Sequence, residues 1–417
     1  MSFRALAAGI LAALGSFPVW ADEPASGGHI KVQAGTAHYR SDDLASVLGY
    51  DPAGDRQLDL RLKTSARSGA WSFQADYELL ATAGDSLALR RQLSTLGLLS
   101  AGTANGLPDD RRRLFDLTRT LTDQDRRAAV HRLDRFSASY QSEGRTLRFG
   151  RQVVSWGNGL IFQVLDFVNP FSPVAIDKEY KTGEDMFYGQ WLIRESDAQL
   201  MIVPRRDATT HDLESRESSY AAKWRFKALG GDADLLAARH YEENMLGVGF
   251  SRNAGGAVWR LDVLRMDLTG RAAEYSLVTN LDYSWAWGGR NFYGYVEYFR
   301  SGTGEKDSSR YLAPNAALGA RLARGELYTL GRDYAVLGMR YEQAPLLNWH
   351  LNLIRNQHDH SAFWQVRAVY DWRQNLQLMA GVNLPEGERG TEYGGLATPQ
   401  GFLSSGRSLY ARLGYYF

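Results

Sequence analysis

Charged and polar side chains that could bind a solute are concentrated in one stretch of this sequence, residues 149–185. The stretch carries carboxylates and ammonium groups close together, and such groups can hold ions through charge-assisted hydrogen bonds. We expect its polar and aromatic side chains to narrow a passage for solutes. The candidate constriction residues are Arg151, Trp156, Asp166, Asn169, Asp177, Lys178, Glu179 and Lys181.

A second candidate site is a basic ladder in which Lys223, Arg225 and Lys227 occupy every second position. Side chains at this spacing share one face of a β-strand. Three cations on one face could guide an anion along a channel wall. Acidic residues on neighbouring strands could equally neutralise them by cross-strand pairing, and we favour this second interpretation.

Signals for catalysis and for metal binding are weak. The sequence has no Cys, which excludes disulfides and thiolate metal sites, and it contains no Gly-x-Ser-x-Gly nucleophile motif. His358-Asp359-His360 could bind a metal, but it falls in a short loop without further ligands nearby. A Ser/His/Asp site assembled from separate strands would leave no linear motif. We predict that the protein is not an enzyme and needs no cofactor.

The overall composition excludes two further classes of protein. The 48 basic and 47 acidic residues leave a formal charge of +1, so no global field attracts nucleic acid. The balance of both signs predicts weak ion selectivity for any channel. The mean hydropathy of −0.37 excludes a bundle of transmembrane helices, which needs several apolar runs of about 20 residues.

The first 21 residues have the three parts of a bacterial secretory signal peptide. A short start with Arg4 precedes an apolar run, Ala5 to Phe17, that is too short to span a bilayer. Small residues at Val19 and Ala21 then form a cleavage site before Asp22. We therefore expect residues 1–21 to be removed and residues 22–417 to form a single exported domain.

From His29 onward the dominant pattern is alternation of apolar and polar residues with a period of two, which predicts β-strands with one apolar face. In one segment Tyr275, Leu277 and Leu281 alternate with polar residues. Such segments are long enough to cross the hydrocarbon layer when tilted, which takes about 9–11 residues. Aromatic residues at both ends of strand after strand favour a transmembrane barrel over a soluble sandwich.

The connections between these segments provide an independent test of the barrel. Connectors after even-numbered strands are short, whereas those after odd-numbered strands include every long one, as in outer-membrane barrels with long extracellular loops. We predict an all-β, antiparallel, up-and-down barrel of 18 strands, with 16 as the alternative. The predicted strands begin near residues 29, 57, 70, 131, 145, 185, 197, 217, 232, 245, 256, 274, 290, 332, 348, 361, 374 and 407.

The C-terminus carries the most specific motif of the chain. Leu413, Tyr415 and Phe417 are apolar at every second position, and the sequence ends on the aromatic residue. This pattern resembles the assembly signal of Gram-negative outer-membrane β-barrel proteins. The resemblance implies a porin-like barrel in the outer membrane, inserted by the outer-membrane assembly machinery. The pattern Gly150-Arg151-Gln152, Trp156-Gly157, Asp166, Asn169-Pro170 also resembles a motif of poorly characterised proteobacterial barrel families.

Two long loops are expected to matter for function. The loop 154–184 is too apolar to sit in water, and we expect it to fold into the lumen rather than only over the mouth of the barrel. The loop 81–130 is expected to be extracellular and partly helical, with one helix around Leu87–Leu93 and a second from Pro108 through Leu121. Arg111, Arg112 and Arg113 in this loop could bind lipopolysaccharide phosphates, or form only a solvated face.

These features together predict a channel for passive diffusion of small hydrophilic solutes, because 18 strands enclose a lumen wider than side chains alone can fill. Two alternatives remain open. One is an export or assembly barrel for polysaccharide or lipid, with loop 154–184 as its plug, and the other is a structural surface barrel. The expected partners are the lipid bilayer, lipopolysaccharide, the assembly machinery and a small solute. The sequence leaves the solute and the oligomeric state open.

Overall fold

The computed structural model of the protein describes residues 25–99, 106–175, 179–268 and 270–417. The expected signal peptide, residues 1–21, lies outside the described residues. Within the described chain, no helix is both long enough and apolar enough to cross a membrane. The structure is built mainly from strands.

The described residues form 21 strands, three short α-helices and one 3₁₀ turn, Ser308–Arg310. The strands are β1 (Ala25–His38), β2 (Ala53–Ser68), β3 (Trp71–Gly84), β4 (Thr118–Gln124), β5 (Arg127–Ser142), β6 (Arg145–Gln152), β7 (Glu184–Ile193), β8 (Ser196–Arg206), β9 (Leu213–Ala228), β10 (Gly231–His240), β11 (Glu243–Ala254), β12 (Ala257–Asp267), β13 (Glu274–Trp287), β14 (Arg290–Arg300), β15 (Asp333–Ala344), β16 (Leu347–Asn356), β17 (Ala362–Arg373), β18 (Leu376–Glu386), β19 (Leu396–Thr398), β20 (Gly401–Leu403) and β21 (Arg407–Tyr416). The helices are α1 (Leu44–Val47), α2 (Asp85–Thr95) and α3 (Ala316–Arg324).

Eighteen of these strands form a closed antiparallel barrel, because β21 pairs with β18 on one side and with β1 on the other. The strands outside this ring are β4, which pairs with β5, and the separate hairpin β19–β20. Closure leaves no sheet edge to face lipid, where unpaired backbone groups would cost several kcal/mol each. The predicted 18-strand barrel is confirmed, and every predicted strand start lies within four residues of an observed one.

The two ends of the barrel differ in the length of their connections. At one end all eight connections are two residues long, from 69–70 to 374–375. At the other end the long connections are 39–52, 85–126, 153–183, 301–332 and 387–406. The large loops therefore gather around one mouth of the barrel.

The two faces of the wall differ in chemistry, as β13 illustrates. Tyr275, Leu281 and Tyr283 are exposed on the outer face, whereas Asn280 and Asp282 are buried on the inner face. The same alternation continues around the ring, so the outer surface is rich in Trp, Tyr, Phe and Leu. An apolar exterior around a polar interior is the arrangement that suits a barrel in a bilayer.

Strand β5 exchanges its partner along its length. On one edge it pairs with β3 throughout, whereas on the other edge residues 127–132 pair with β4 and residues 136–142 pair with β6. The predicted helix from Pro108 through Leu121 is therefore wrong. Its last four residues, 118–121, belong to the strand β4 that completes the free edge of β5, and this tertiary pairing overrides the local helical spacing.

The first helical stretch of the same loop does form a helix, α2. Its residues Leu89 and Leu93 are buried against Leu44 and Ala45 of α1 in a small apolar cluster at the loop-bearing end. The two helices thus cover part of the mouth, and the space inside the barrel is filled by a different connection.

Candidate functional site

The described residues of the connection between β6 and β7, 153–175 and 179–183, lie inside the barrel, and we call them the inner segment. Its anchor is Glu297, on the inner face of β14. The carboxylate accepts backbone N–H groups from Leu160 (2.6 Å), Ile161 (3.1 Å) and Phe162 (2.8 Å). The side chain of Asn280 on β13 donates to the same carboxylate at 3.2 Å. Hydrogen bonds to charged groups are among the stronger ones, so this is a firm attachment.

A second anchor lies on β12, two strands away from β14 in the barrel. The carboxylate of Asp262 accepts both the backbone N–H and the side-chain amide of Asn158, each at 2.6 Å. Room for this contact comes from Gly249 on β11, where a Cβ atom would lie 2.9 Å from the Asn158 amide nitrogen. Gly247 likewise leaves space for Leu165, whose side chain is fully buried. The two glycines therefore allow the inner segment to pack closely against β11. This close approach explains them better than a bend in the strand would.

Apolar packing fixes the same part of the inner segment. Phe162 stacks on Phe299 of β14 with ring centroids 4.2 Å apart, and Trp156 donates from its indole N–H to Gln199 of β8 at 2.7 Å. The buried cluster around them includes Ile161, Val164, Leu165, Phe167, Met201, Leu236, Met245, Leu264, Val278 and Val336. Burying an apolar side chain stabilises by about 1.5–3 kcal/mol. Residues 156–168 are therefore held rigidly against the wall from β8 to β15.

The two arms of the inner segment are joined by a buried ion pair. The Lys181 ammonium lies 2.6 and 2.5 Å from the two oxygens of Asp166 and donates to the Val154 carbonyl at 2.9 Å. Burial raises the pKa of Asp166 and lowers the pKa of Lys181, while the charge of each partner opposes these shifts. Two of the predicted constriction residues thus hold the segment together.

The returning arm contacts the opposite wall through what we call the clasp, Glu179 and Tyr180. Glu179 accepts hydrogen bonds from the Lys31 ammonium at 2.7 Å and from the Tyr416 hydroxyl at 2.8 Å. Lys63 donates to the Tyr180 hydroxyl, and its ammonium lies 4.3 Å from the centre of the Tyr180 ring. The inner segment therefore spans the lumen, from the wall around β12–β14 to the wall of β1, β2 and β21.

Beside the clasp lies a dense network of charges on β2, β3 and β5. Arg61 donates to Asp134 at 2.9 Å and also to Glu78, and Arg132 donates to Glu78 at 2.6 Å. Arg132 also lies 2.6 Å from Asp134. All four side chains are buried. Ions this far from bulk water require such mutual pairing, so the network keeps a strongly charged wall stable in the lumen.

A vestibule of about 860 Å³ connects the loop-bearing mouth to this charged wall. It begins among the long loops and reaches Arg61, Glu78 and Tyr180. Seven arginines line it, against four carboxylates. The arginines are Arg61, Arg111, Arg112, Arg113, Arg132, Arg205 and Arg324, and the carboxylates are Glu78, Asp109, Glu184 and Glu326. Most of these arginines are ion-paired, and three of their partners, Asp110, Asp134 and Glu217, are not among the lining residues, so the vestibule carries no clear excess of either charge.

The predicted basic ladder on β9 faces inward but is neutralised by its neighbours, as the favoured interpretation expects. Arg225 donates to both oxygens of Asp234 at 2.8 and 2.7 Å, and Lys223 lies 3.9 Å from the same carboxylate. Lys227 pairs with Asp232 at 2.6 Å. The cross-strand carboxylates leave this wall without a continuous positive track.

The remaining predicted constriction residues lie in different parts of the structure. Arg151 is fully buried in the wall, where it forms a bidentate pair with Asp185 at 2.8 and 3.1 Å and donates to Asp110 at 3.1 Å. Assigning it to the constriction is therefore wrong, because it fills the seam where β5 changes partner. Asn169 donates to Glu184 at 3.0 Å, whereas Asp177 and Lys178 lie outside the described residues.

One arrangement that linear motifs cannot indicate is a hydrogen-bonded Ser219, His240 and Glu326 series. The Ser219 hydroxyl lies 2.7 Å from Nδ1 of His240, whose Nε2 lies 2.9 Å from Glu326. The same order of contacts occurs in enzymes in which a serine nucleophile is activated by a histidine base that an acidic residue orients. Ser219 is fully buried, however, and Arg205 donates to its hydroxyl at 2.5 Å. The oxygen is thus shielded from any substrate, and the series is structural.

In the triplet His358-Asp359-His360, the side chains of His358 and Asp359 hold neighbouring elements together. His358 bonds to Asp333 at 2.7 Å, and Asp359 accepts the backbone N–H groups of Ser361 and Glu392, each at 2.8 Å. No group of three or more potential metal ligands occurs among the described residues.

A pH-sensitive contact joins two of the mouth loops at Glu392. Its buried carboxylate accepts the Leu330 N–H at 2.7 Å, the Asn356 amide at 2.9 Å and the Tyr334 hydroxyl. Burial raises the pKa of Glu392 from 4.5 to about 7. The folded protein therefore binds this proton more tightly than the unfolded chain, so the group's contribution to stability falls as pH rises from about 4.5 to 7.

We expect Glu392→Gln to remove this pH dependence. Between pH 4.5 and pH 8 the wild type should lose roughly 3 kcal/mol of unfolding free energy relative to the variant, because one pKa unit corresponds to about 1.4 kcal/mol. Urea titrations of both proteins across this range measure the difference. Parallel pH profiles for the two proteins would contradict the assignment.

The closed-barrel fold of this chain is shared with several solved structures. Among solved structures, Acinetobacter baumannii OccAB2 matches with a TM-score of 0.54 and 12% identity over 96% of this chain and 99% of that chain. A BenF-like porin from Pseudomonas fluorescens Pf-5 matches with a TM-score of 0.52 and 10% identity, covering 95% and 99% of the two chains.

A third match is Pseudomonas aeruginosa OccK2 (OpdF) in complex with glucuronate, with a TM-score of 0.52 and 10% identity over 95% of this chain and 98% of that chain. No protein-family model and no curated relative matches the sequence. At such low identities the structural matches establish the fold.

Proposed function

We propose that the protein is a porin-like channel of the Gram-negative outer membrane, through which small hydrophilic solutes diffuse passively. The observation that carries the proposal is the vestibule, which leads from the mouth to a charged wall inside a closed barrel. The vestibule is lined by arginines and carboxylates that are mostly ion-paired, a lining that suits small charged solutes. Glucuronate, the ligand of the solved OccK2 complex, is a small anion of this kind.

The deciding experiment is conductance of the purified protein in a planar lipid bilayer. We expect unitary current steps, and in a salt gradient a reversal potential close to zero, because the charges of the lining are largely paired. A folded protein, verified by the heat-dependent shift of barrel proteins on a gel, that gave no unitary current would contradict the proposal.

A second candidate is an export or assembly barrel in which the inner segment is a plug. The observation that favours it is the span of the segment, which contacts β14 through Glu297 and β1 through Lys31. This function predicts that the wild type does not conduct, whereas a variant lacking residues 156–168 does. Conductance of the wild type would exclude it.

The cellular setting is part of the same proposal. Residues 1–21 act as a cleaved signal peptide, and Leu413, Tyr415 and Phe417 are read by the assembly machinery. The long connections face the cell exterior, where Arg111 and its neighbours meet lipopolysaccharide. The protein acts on solutes without catalysis, and nucleic acid is not a partner.

A further inference from the structure

A groove of about 700 Å³ lies on the outer face of the barrel wall, across strands β7 to β11. Part of its floor is formed by Ala222 and Ala237, which are pairing partners on β9 and β10. Leu200 on β8 and Leu246 on β11 flank this floor, and both side chains are about half exposed. The small alanine side chains thus leave a depression between bulkier neighbours, which we call the alanine groove.

The alanine groove continues toward the end of the barrel with the short turns. There Ala198 on β8 lies between Trp191 on β7 and Trp224 on β9, and all three line the groove. On a wall that faces a bilayer, an unfilled depression loses dispersion contacts, so hydrocarbon chains fill it. The shape and the apolar lining of the groove therefore suit the acyl chains of a lipid.

One pairing row closer to the loop-bearing mouth, three polar side chains face outward together. Arg239 lies two residues beyond Ala237 on β10, and its partners are Tyr220 on β9 and Asn244 on β11. All three residues are exposed. We call them the polar row.

The guanidinium of the polar row is available to a ligand. Among the described residues, the carboxylate paired with Arg239 is that of Glu242, at 3.9 Å, and both side chains are more than half exposed. Such an exposed pair contributes little to stability. A guanidinium beside a hydroxyl and an amide offers several donors to phosphate oxygens. A phosphate bound there places an attached acyl chain over Ala237 and Ala222.

We propose that the alanine groove and the polar row form a binding site for the lipid A part of lipopolysaccharide, with a phosphate at Arg239. The groove crosses five strands, about 19 Å, which suits a lipid with several acyl chains better than one with two. The inference rests on the proposed location, because the long connections then face the leaflet that contains lipopolysaccharide. The site lies on the outer wall, apart from the lumen and from the arginines of the loop 85–126.

Native mass spectrometry of the folded barrel in detergent, titrated with purified bisphosphorylated lipid A, measures this binding. Arg239→Gln should weaken it by about tenfold, the effect of losing a hydrogen bond to a charged group. Ala237→Phe fills the groove and should also weaken binding by about tenfold, the effect of displacing about two methylene groups.

Two matched variants control for charge and for volume. Arg355→Gln removes an exposed arginine near the loop-bearing end of β16, where Leu353 rather than an alanine lies two residues below it. Ala233→Phe adds the same volume on the same face of β10, four residues from Ala237 and outside the groove lining. Both should bind lipid A as the wild type does. The heat-dependent gel shift verifies that each variant is folded.

The outcomes separate this inference from the proposed function. Equal affinity for lipid A in wild type, Arg239→Gln and Ala237→Phe overturns the inference even if the channel conducts. Equal binding of lipid A and phosphatidylglycerol by the wild type also overturns it, because the site then selects no particular lipid. Weaker binding by both variants, with both controls unchanged, supports the site even if no protein passes current. The bilayer experiment decides the channel function independently.

Discussion

Replacing Arg151 with methionine is expected to lower the free energy of unfolding by about 3–5 kcal/mol, the usual effect of removing one partner of a buried ion pair. The guanidinium neutralises Asp185 and Asp110 and donates to the Phe115 carbonyl at 2.7 Å. Methionine fills similar space but leaves two carboxylates with less compensation in a buried site. Urea unfolding of the reconstituted barrel measures the change.

Arg148→Met provides the matched control, since Arg148 lies on the same strand. Its guanidinium is partly exposed and donates to the Ser139 hydroxyl at 3.0 Å. We expect this change to cost about 1 kcal/mol or less. Equal losses for the two variants would show that the buried pair does not stabilise the seam of β4, β5 and β6.

Replacing Glu297 with alanine is expected to release the inner segment from the wall. Three buried backbone N–H groups lose their acceptor, at about 1–3 kcal/mol each. A total of at least about 3 kcal/mol shifts the docking equilibrium roughly 100-fold. The conductance of single channels should rise, and trypsin should cut after Lys181 faster than in the wild type.

Glu297→Gln keeps an oxygen that can accept from the segment and should have a smaller effect than Glu297→Ala. Glu342, on the inner face of β15, lies closer to the short-turn end and contacts Asn291 at 3.2 Å. Glu342→Ala should leave trypsin cleavage unchanged. Wild-type conductance and cleavage in Glu297→Ala would show that the apolar contacts alone hold the segment.

The sequence predicts the wall of the barrel well because the strands are long and each has one apolar face. In β13 the alternation of Tyr275, Leu281 and Tyr283 with polar residues reports directly which side faces outward. A period of two leaves no ambiguity over a strand of 14 residues. Short turns follow the even-numbered predicted strands, so the long connections must all lie at the opposite end of the barrel.

The interior could not be predicted in the same way, because its contacts join residues far apart in the chain. Glu297 lies on the predicted lumen face, yet nothing in its neighbourhood indicates that it binds the backbone of residues 160–162. Arg151 directly precedes the inner segment in the sequence, and the sequence therefore groups it with that segment. Its burial is explained only by the change of partner along β5. Pairing across a sheet also decided the outcome for residues 118–121, the end of the predicted helix, which belong to strand β4.

The position of Glu179 has a consequence for the order of events during folding. It contacts Lys31 and Tyr416, which belong to the first and the last strand of the ring. They come together only when β1 has paired with β21, so the clasp cannot form on an open sheet. Narrowing of the lumen is therefore a late step, available only to a chain whose two ends have already met.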